Sequence, residues 1–494
     1  MRAAAEADPA AARPRIHFTP QANWMNDPNG LIFHDGLYHL YFQFNPLGAD
    51  HGNMSWGHAT SADLVSWREH PVALLFDEHE QVFSGSMVSD AGNTSGLGTA
   101  EHPPLVAVYT SARSDGLQAQ SLAVSLDGGY TWEKYASNPV LDRGSADFRD
   151  PKVFRYAGAD DAYWVMVAVE AAERRVLFYR SDDLLSWTYL SDYGPAGAVG
   201  GVWECPDLFP LPYVSGAGSG AGVRWVLLVS LYPGGVAGGS ATQYVVGEFD
   251  GIRFVPDVAH PCVAADAAEL DGLDWVDLGP DCYAGVTFAG LPTGQRTLIA
   301  WMSNWDYAKR VPTSPWRGAM TTARRLALRC VDGRARLVST PVLGREDGVL
   351  EGVPAGGSVD DVLPEAARID LEVDGAATAE VRLGDAERCV VVTVSGAERF
   401  VRVDRRRAVF EDVSDAQGVQ RAALPAGAVQ RVTIVVDNGS VEVFAGEGLV
   451  AVTALTSLPP APGLHLTTTG AVRLGVAELG DSGLRGAGLG GSGS

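Results

Sequence analysis

The segment SADLVSW at residues 61–67 decides the fold, because the chain repeats its pattern. The copies are SLDGGYTW (125–132), SDDLLSW (181–187) and the weaker EFDGIRF (248–254). In each full copy, Ser and Asp favour a turn closed by side-chain hydrogen bonds, and the Trp favours packing between sheets rather than ligand contact. The copies begin roughly 55–67 residues apart, a length that suits a four-stranded sheet. Repeats of this size are typical of β-propeller blades.

Strand-like runs fill the intervals between these repeats. Examples are LYHLYFQF (37–44), AYWVMVAVE (162–170) and RWVLLVSLY (224–232), whereas helical periodicity is scarce. Short apolar runs bounded by turn residues favour strands. The sequence therefore predicts one propeller over residues 16–335.

The composition changes after Arg334. The last tryptophan is Trp316, and Val-rich alternating segments follow, such as ARIDLEV (367–373) and QRVTIVV (430–436). Such alternation between turn residues favours a β-sandwich, which we predict over residues 336–481. We expect an all-β chain with a flexible segment at 1–15 and a disordered Gly/Ser-rich tail at 482–494.

Charge and cysteine usage exclude several kinds of partner. The 494 residues include 37 Lys and Arg against 60 Asp and Glu, which gives a net charge of −23. Such a surface repels phosphate backbones and anionic lipids, so nucleic acid and membranes are not expected partners. The five cysteines form no C-x-x-C pair, so neither a metal site nor a disulfide framework is expected. The apolar stretches are too short for a signal sequence or membrane span, so we expect a cytoplasmic chain, or a secreted one if a signal peptide was removed.

Three acidic residues close to prolines stand out as candidates for catalysis. They are Asp27 in WMNDPNG (24–30), Asp150 in DFRDPK (147–152) and Glu204 in WECPDLF (203–209). Proline limits a hydrogen-bonded strand, so these acids are expected near strand ends. The innermost strands of propeller blades converge on the central axis, so acids from three blades can meet there.

A retaining glycosidase needs such a set of acids. One carboxylate attacks the sugar and a second acts as acid and base, with the two roughly 5 Å apart, while a third can stabilise the developing positive charge. Taken alone, Asp27 also fits a turn, and Arg149–Asp150 also fits a solvated ion pair. Glu204 lies between Trp203 and Cys205, so it is expected to be partly buried and to need a partner or a function.

Taken together, these motifs resemble glycoside hydrolase family 32, which includes invertases, levanases and exo-inulinases. The resemblance extends from about His17 to Gly475. The segments that carry it are HFTPQANWMNDPNGL (17–31), SWGHATSADLVSW (55–67), FSGSMV (83–88), FRDPK (148–152), WECPDLF (203–209) and DNGSVEVF (437–444). It implies a five-bladed β-propeller followed by a C-terminal β-sandwich.

The resemblance also implies a site and a reaction. It makes Asp27 the nucleophile, Asp150 the transition-state stabiliser and Glu204 the acid/base of a double displacement that needs no cofactor. The sugar-binding residues that it implies are Asn26, Gln43, Phe83, Ser84, Arg149, Tyr283 and Trp305. The segment WMSNWDYAKRVPTSPWRGAM (301–320) is similar to exo-acting levanases and inulinases. The expected activity is therefore release of terminal β-D-fructose from fructans, with sucrose as a secondary substrate.

Two positions depart from the family pattern. His51 stands where the family often has Trp, which makes one pocket wall smaller and more polar. Ala323-Arg324-Arg325-Leu326 replaces the usual PRE-L, a change that we expect to concern structure rather than catalysis.

Several alternatives stay open at this point. An invertase or a fructosyltransferase would use the same three acids, and a non-catalytic sugar-binding propeller would use none of them for turnover. A related five-bladed arabinan or xylan hydrolase would invert the anomeric configuration. The sandwich is a candidate surface either for homo-oligomerisation or for an extended binding cleft.

Overall fold

The computed structural model describes residues 13–158, 161–214, 221–344, 349–410 and 413–480. Within these ranges strands dominate, and the α-helices α1 (Ala267–Leu270) and α2 (Asp415–Gly418) have four residues each. No helix in the described ranges is long and apolar enough to cross a membrane. The predicted all-β class is therefore confirmed. Residues 1–12 of the N-terminal segment and the predicted tail at 482–494 lie outside the described residues.

The first three blades are consecutive antiparallel sheets along the chain. Blade one contains β1 (Asn23–His34), β2 (Leu37–Asn45), β3 (Ser55–Ser61) and β4 (Arg68–Leu74). Blade two contains β5 (Glu80–Ser89), β6 (Leu105–Arg113), β7 (Gln118–Ser125), β8 (Glu133–Lys134) and β9 (Leu141–Ser145). Blade three contains β10 (Phe148–Ala157), β11 (Ala162–Glu170), β12 (Arg175–Ser181) and β13 (Thr188–Tyr193).

Two further sheets complete five blades in the described ranges. After β14 (Gly197–Ala198), blade four contains β15 (Val202–Val214), β16 (Ala221–Tyr232), β17 (Ala241–Phe249) and β18 (Phe254–Pro256). After β19 (Cys262–Val263), which pairs with β14, blade five contains β20 (Tyr283–Thr287) and β21 (Arg296–Trp301). It continues past a 3₁₀ turn (Ala308–Arg310) and β22 (Trp316–Arg317) with β23 (Arg324–Val331) and β24 (Arg334–Pro341).

The repeated Ser–Asp–Trp segments form the turns that the sequence predicts. Ser61 Oγ donates to Asp63, whose Oδ1 accepts the backbone N–H groups of the next turn residues at 2.9 and 2.7 Å. Each repeat joins the two outer strands of its blade. Trp132 then packs on Tyr41 of the neighbouring blade, with 5.8 Å between ring centroids.

The ring of blades is closed by backbone hydrogen bonds between blades one and five. Phe33 N–H donates to the carbonyl of Ala289, and Ala289 N–H donates to the carbonyl of Leu31, both at 2.9 Å. In addition, β22 pairs in parallel with β1. The first and last blades are therefore held at a fixed distance, which keeps the axial ends of all five inner strands in one ring.

The predicted end of the propeller at 335 falls inside β24 and needs correction. β24 pairs with β23 along its whole length, so the last blade continues to Pro341. The error arises because the outer strands of blade five contain no Trp, and their composition already resembles that of the sandwich. At the other end, Arg13 and Arg15 of the segment predicted to be flexible are hydrogen-bonded, the latter through its N–H to Asp437 at 2.9 Å.

The C-terminal part is a sandwich of two six-stranded sheets. Its strands are β25 (Glu351–Val353), β26 (Ser358–Val362), β27 (Ala367–Asp374), β28 (Thr378–Gly384), β29 (Cys389–Ser395), β30 (Phe400–Asp404), β31 (Val419–Ala423), β32 (Val429–Asp437), β33 (Ser440–Ala445), β34 (Val450–Leu455), β35 (Gly463–Thr468) and β36 (Val472–Glu478). One sheet has the order β25-β36-β27-β32-β33-β34, and the other has β26-β35-β28-β29-β30-β31. Alternate Val and Leu side chains of both sheets fill the core between them.

A group of buried charged residues joins the propeller to the sandwich, and we call it the interdomain cluster. Its members are His17, Asp277, Asp281, Arg324, Arg405, Asp437 and Glu442. The Arg324 guanidinium donates to Asp277 and Glu442, both at 2.7 Å, and Arg405 donates to Asp281 at 2.8 Å. The neighbouring departure from the family pattern leaves Ala323 buried and Arg325 exposed on β23. That placement agrees with a structural rather than a catalytic meaning.

Candidate active site

The innermost strand of every blade carries one extra residue at the same height. Register shifts interrupt the pairing of β1, β5, β10, β15 and β20 with the next strand of each blade. At each shift lies a tripeptide whose third residue is Pro or Gly. We call these five segments the axial tripeptides, and they are Asn26-Asp27-Pro28, Phe83-Ser84-Gly85, Arg149-Asp150-Pro151, Glu204-Cys205-Pro206 and Tyr283-Ala284-Gly285.

The axial tripeptides explain why residues far apart in sequence form one site. A bulge re-aims the side chains of its strand and is frequent beside active sites. In three of the tripeptides the middle residue has a positive φ: 62° at Asp150, 47° at Cys205 and 53° at Ala284. Because the third residue is Pro or Gly, the chain leaves the regular ladder at this point. The first and second side chains of neighbouring blades are consequently in contact with one another.

Asp27 is partly buried among hydrogen-bond donors. Its Oδ2 accepts from Ser84 Oγ at 2.9 Å and faces Cys205 Sγ at 3.6 Å, while its Oδ1 accepts from Asn26 Nδ2 at 3.1 Å. Asn26 is itself fixed by the indole N–H of Trp24 at 2.7 Å. Burial and the charge of Glu204 raise the pKa of Asp27 to about 6, although these donors oppose the shift.

Asp150 is buried, with 7% of its surface exposed, and is held by backbone geometry. The N–H of Cys205 donates to its Oδ2 at 2.9 Å, and its own N–H donates to Thr110 Oγ1 at 2.8 Å. Burial raises the pKa of Asp150 to about 7, with the carboxylates of Glu204 and Asp27 also raising it while the guanidinium of Arg149 opposes the shift. The carboxyl is thus fixed in place but only weakly compensated.

Glu204 is partly open to solvent. Its side chain is 24% exposed, against 11% for Arg149, which donates to its Oε1 at 3.2 Å. The hydroxyl of Tyr283 donates to its Oε2. Both donors come from first positions of neighbouring axial tripeptides, so three blades orient this one carboxyl group.

Aromatic side chains form the wall around the acids. Trp305 stacks on Trp24 at 5.9 Å with an interplanar angle of 23°, and both rings contact Trp301. Phe83 packs against the same apolar group. His51 lies with its ring edge-on to Trp24 and Trp305, at 5.8 and 5.3 Å, and is exposed to solvent. The site therefore has acidic side chains at its bottom, aromatic side chains along its wall and the imidazole of His51 at its entrance.

The structure brings together all three predicted acids, and Asn26, Ser84, Arg149 and Tyr283 contact them directly. Phe83 and Trp305 lie in the wall. Gln43 is buried on β2, opposite the bulge of β1. Its Nε2 donates to the carbonyl of Val82 at 3.0 Å. In this arrangement Gln43 links blades one and two.

Sequence reasoning missed Thr110, which lies on β6 opposite the bulge of β5. Its hydroxyl accepts from Asp150 N–H and donates to the carbonyl of Ser84 at 3.2 Å, so it connects two axial tripeptides. The segment VAVYTSAR that contains it is an ordinary strand pattern with no signal for a site. Cys205 also contacts two of the acids, since its N–H donates to Asp150 and its thiol faces Asp27.

The described residues contain no group of three or more His, Cys, Asp or Glu side chains arranged to hold a metal ion. The acids are instead surrounded by hydroxyl, amide, thiol and guanidinium donors. This arrangement suits the two-carboxylate chemistry of glycoside hydrolysis, in which one acid attacks and another transfers a proton.

Comparison with known proteins agrees with this chemistry. Among characterised proteins, the levanase of Bacillus subtilis is 42% identical over 464 residues, which cover 89% of this chain and 66% of the levanase. The extracellular exo-inulinase of Aspergillus awamori is 38% identical over 508 residues, covering 93% of this chain and 92% of that protein. This chain therefore spans about two thirds of the levanase but nearly all of the exo-inulinase.

Solved structures give the same result for the fold. The crystal structure of the exo-inulinase from Aspergillus awamori superposes with a TM-score of 0.86 at 37% identity, covering 95% of this chain and 98% of that one. The β-fructofuranosidase from Schwanniomyces occidentalis, complexed with fructosyl-erythritol, has a TM-score of 0.83 at 30% identity with the same coverage. Residues 17–341 match the N-terminal domain of glycosyl hydrolases family 32, and residues 351–478 match its C-terminal domain. The chain belongs to glycosyl hydrolases family 32.

Proposed function

We propose that this protein is a retaining, exo-acting β-fructofuranosidase that releases terminal fructose from levan-type or inulin-type fructans and, secondarily, from sucrose. The observation that carries the proposal is the meeting of Asp27, Asp150 and Glu204 on three axial tripeptides inside an aromatic wall. Their local donors differ, so the three acids can take different roles. The names of the relatives, levanase and exo-inulinase, support the choice of fructans.

The reaction proceeds in two displacements. In the first, an Asp27 oxygen attacks C2 of the terminal fructose while Glu204 protonates the oxygen of the leaving sugar, and the C2–O bond breaks. In the second, Glu204 takes a proton from water, whose oxygen attacks C2 and releases fructose from Asp27. The configuration at C2 is retained because it is inverted twice.

The geometry supports this division of roles. Asp27 accepts hydrogen bonds from Ser84 and Asn26, which stabilise the ionised form that a nucleophile needs. The side chain of Glu204 is 24% exposed and so can reach the leaving group and, later, water. Asp150 is held by the N–H of Cys205 and has no such access, which suits a carboxylate that stabilises the positive charge of the transition state.

A sugar-binding propeller without turnover explains the site less well. Burying several weakly compensated carboxylates together destabilises a protein, and pKa values shifted in this way are characteristic of catalytic groups. A module that only binds a neutral sugar needs hydrogen-bond donors and an aromatic wall. It does not need Asp27 and Asp150 with raised pKa values.

The experiment that tests the proposal measures fructose and glucose released over time from levan, inulin, sucrose and 1-kestose. Fructose alone from a polymer, with the isosteric variant Glu204→Gln at least 10³-fold slower by order of magnitude, is the expected result. Turnover of sucrose alone would move the assignment to invertase, and transfer products longer than the substrate would move it to fructosyltransferase. Inactivity of the wild type on all four sugars would overturn the proposal.

The stereochemistry provides an independent check. NMR of the first-formed fructose separates retention from inversion before mutarotation. Retention agrees with Asp27 as nucleophile, whereas inversion would place this chain with the arabinan-type or xylan-type mechanism.

Location and assembly stay predictions. A relative is named an extracellular exo-inulinase, and a polymeric substrate outside the cell would require secretion of this chain as well. Fractionation of the native producing cells tests the location, and sedimentation at several concentrations tests homo-oligomerisation through the sandwich.

A further inference from the structure

A second set of contacts joins the inner strands at residues that follow the axial tripeptides in sequence. The ammonium of Lys152 lies 3.0 Å from Asp207 Oδ2 and donates to the carbonyl of Thr287 at 2.5 Å. Thr287 in turn donates to the same oxygen of Asp207 through its N–H at 2.7 Å and its hydroxyl at 2.8 Å. We call Lys152, Asp207 and Thr287 the axial knot.

The axial knot is buried to an extent that is unusual for charged groups. Asp207 is 0% exposed, Thr287 2% and Lys152 8%. Burial and the nearby Arg296 lower the pKa of Lys152, while the charge of Asp207 opposes this shift. Buried ion pairs of this kind are often replaceable by apolar residues without loss of stability. The presence of the buried ion pair of Lys152 and Asp207 next to the site therefore needs an explanation other than stability.

The position of the knot provides that explanation. Its three members lie on the strands that carry Asp150, Glu204 and Tyr283, each just beyond the bulge: Lys152 on β10, Asp207 on β15 and Thr287 on β20. These strands belong to three different blades. The backbone ladders of β10, β15 and β20 run within their own blades, so the distances between these blades at this height depend on side-chain contacts.

A small pocket borders the axial knot. Its volume is about 20 Å³, enough for one water molecule, and Asp150, Cys205 and Lys152 are among the residues that line it. On the other side of β10, the N–H of Val153 donates to Ser86 Oγ of blade two at 2.9 Å, so the links continue around the axis.

We propose that Lys152, Asp207 and Thr287 are positioning residues, which fix the spacing between the transition-state stabiliser Asp150 and the acid/base Glu204. The inference rests on the proposed function for the roles of these two acids. Displacement of a reacting group by about 1 Å can lower a rate by 10²-fold, so a knot that sets this spacing acts on kcat rather than on substrate binding.

The test compares Thr287→Val with Thr287→Ser. Valine has nearly the same shape but lacks the hydroxyl that donates to Asp207, whereas serine keeps it. We expect Thr287→Val to lower kcat on sucrose and on levan about tenfold with KM changed less than about threefold, and Thr287→Ser to restore most of kcat. Lys152→Met, which removes the charge, should lower kcat about 100-fold.

A matched control separates positioning from general destabilisation. Glu442→Gln removes a buried, paired carboxylate of the interdomain cluster, and it should lower Tm without lowering kcat at 25 °C. If Thr287→Val lowers Tm but leaves kcat and KM at wild-type values, the proposal is overturned, even if Lys152→Met fails to fold.

A crystal structure of Thr287→Val decides the geometry without any assay. The proposal expects the distance between Cys205 N and Asp150 Oδ2, 2.9 Å in the wild type, to change together with the contact between Arg149 and Glu204. Unchanged distances would overturn it. Should the wild type hydrolyse none of the fructosides, the proposed function fails while this comparison still decides whether the knot sets the spacing.

Discussion

The active site and the interdomain cluster both bury several carboxylates, but they compensate them differently. In the active site, the guanidinium of Arg149 donates to Glu204, and the three acids otherwise receive hydroxyl, amide and thiol donors. In the interdomain cluster, Arg324, Arg405 and His17 face four carboxylates at 2.7–2.8 Å.

The pKa values follow this difference. Burial raises the pKa of Asp27 to about 6 and that of Asp150 to about 7. In the other cluster, burial is outweighed by Arg324 and His17, which lower the pKa of Glu442 to about 2, and by the two carboxylates that raise the pKa of His17 to about 9. Asp281 is an exception, since burial raises its pKa despite Arg405. Carboxylates withdrawn from solvent thus have raised pKa values in one place and form a stable joint in the other.

The strongest test of this difference between the two clusters is the substitution Asp27→Asn. The substitution removes the proposed nucleophile, and we expect kcat to fall by about 10⁴-fold. It should also stabilise the fold at neutral pH, because a folded pKa raised above the unfolded value disfavours the ionised form. In the wild type, the ionised carboxylate of Asp27 therefore destabilises the folded state. This effect is absent below about pH 4 and complete above about pH 6, and it amounts to roughly 1–3 kcal/mol.

The measurement is urea unfolding of the wild type and Asp27→Asn at pH 4 and pH 7.5, with activity assayed in parallel. A gain in stability at pH 7.5 that disappears at pH 4 is the expected pattern. A variant that is less stable than the wild type at pH 7.5 would contradict the description of Asp27 as weakly compensated.

The converse substitution is Glu442→Gln in the interdomain cluster. Removing one partner of a buried ionic network leaves Arg324 and His17 poorly compensated, so we expect a loss of about 3–5 kcal/mol in the free energy of unfolding. The values of kcat and KM at 25 °C should stay within about twofold of the wild type. Calorimetry and initial rates on sucrose check both, and a large fall in kcat would show that the two clusters are not independent.

The pH dependence of stability sharpens the comparison further. The folded pKa of His17 is raised, so its contribution is fully present below about pH 6.5 and is lost as the pH rises through about 9. Unfolding free energies of the wild type should therefore decrease by roughly 1–3 kcal/mol between pH 6.5 and 9.5. His17→Gln should remove most of this slope, and an equal slope in that variant would assign the loss to other groups.

The smallest expected effect concerns the donor Ser84. Activity requires ionised Asp27, so kcat/KM should rise with pH through about 6. Ser84 Oγ lowers the pKa of Asp27, so Ser84→Ala should move this acid limb upward by less than about one pH unit and lower kcat/KM about tenfold. A pH–rate profile from pH 4 to 8 tests it, and an acid limb that stays in place would exclude Ser84 from the ionisation of Asp27.

Much of the architecture could be predicted from local sequence. The Ser–Asp–Trp repeats mark the outer turns of the blades because their hydrogen bonds lie within the repeat itself, as between Ser61 and Asp63. The three acids could be proposed because prolines accompany them in the sequence. The boundary at 335 was wrong because composition does not show which strands pair, and β24 pairs backward with β23.

The contacts between blades could not be predicted in the same way. Thr110 and Thr287 lie in ordinary strand segments, and their importance depends on which backbone or side chain faces them across a gap between blades. The bulges are also invisible without the pairing, since an extra residue is defined only against a partner strand. Gln43 illustrates the limit, because its sugar contact stays a prediction, whereas its link to the carbonyl of Val82 is visible only in the structure.

The recurrence of the axial tripeptide in all five blades has a consequence for protein engineering. Each of the five blades carries one axial tripeptide near the same axis, and the proposed reaction uses acids from three of them. Ala284 and Gly285 in the fifth blade contribute little side chain of their own. Ala284 is buried in the same apolar group as Tyr283 and Cys205, so a larger side chain there would press on residues that contact the acids without replacing any acid. This blade is therefore a place to tune the site in the laboratory.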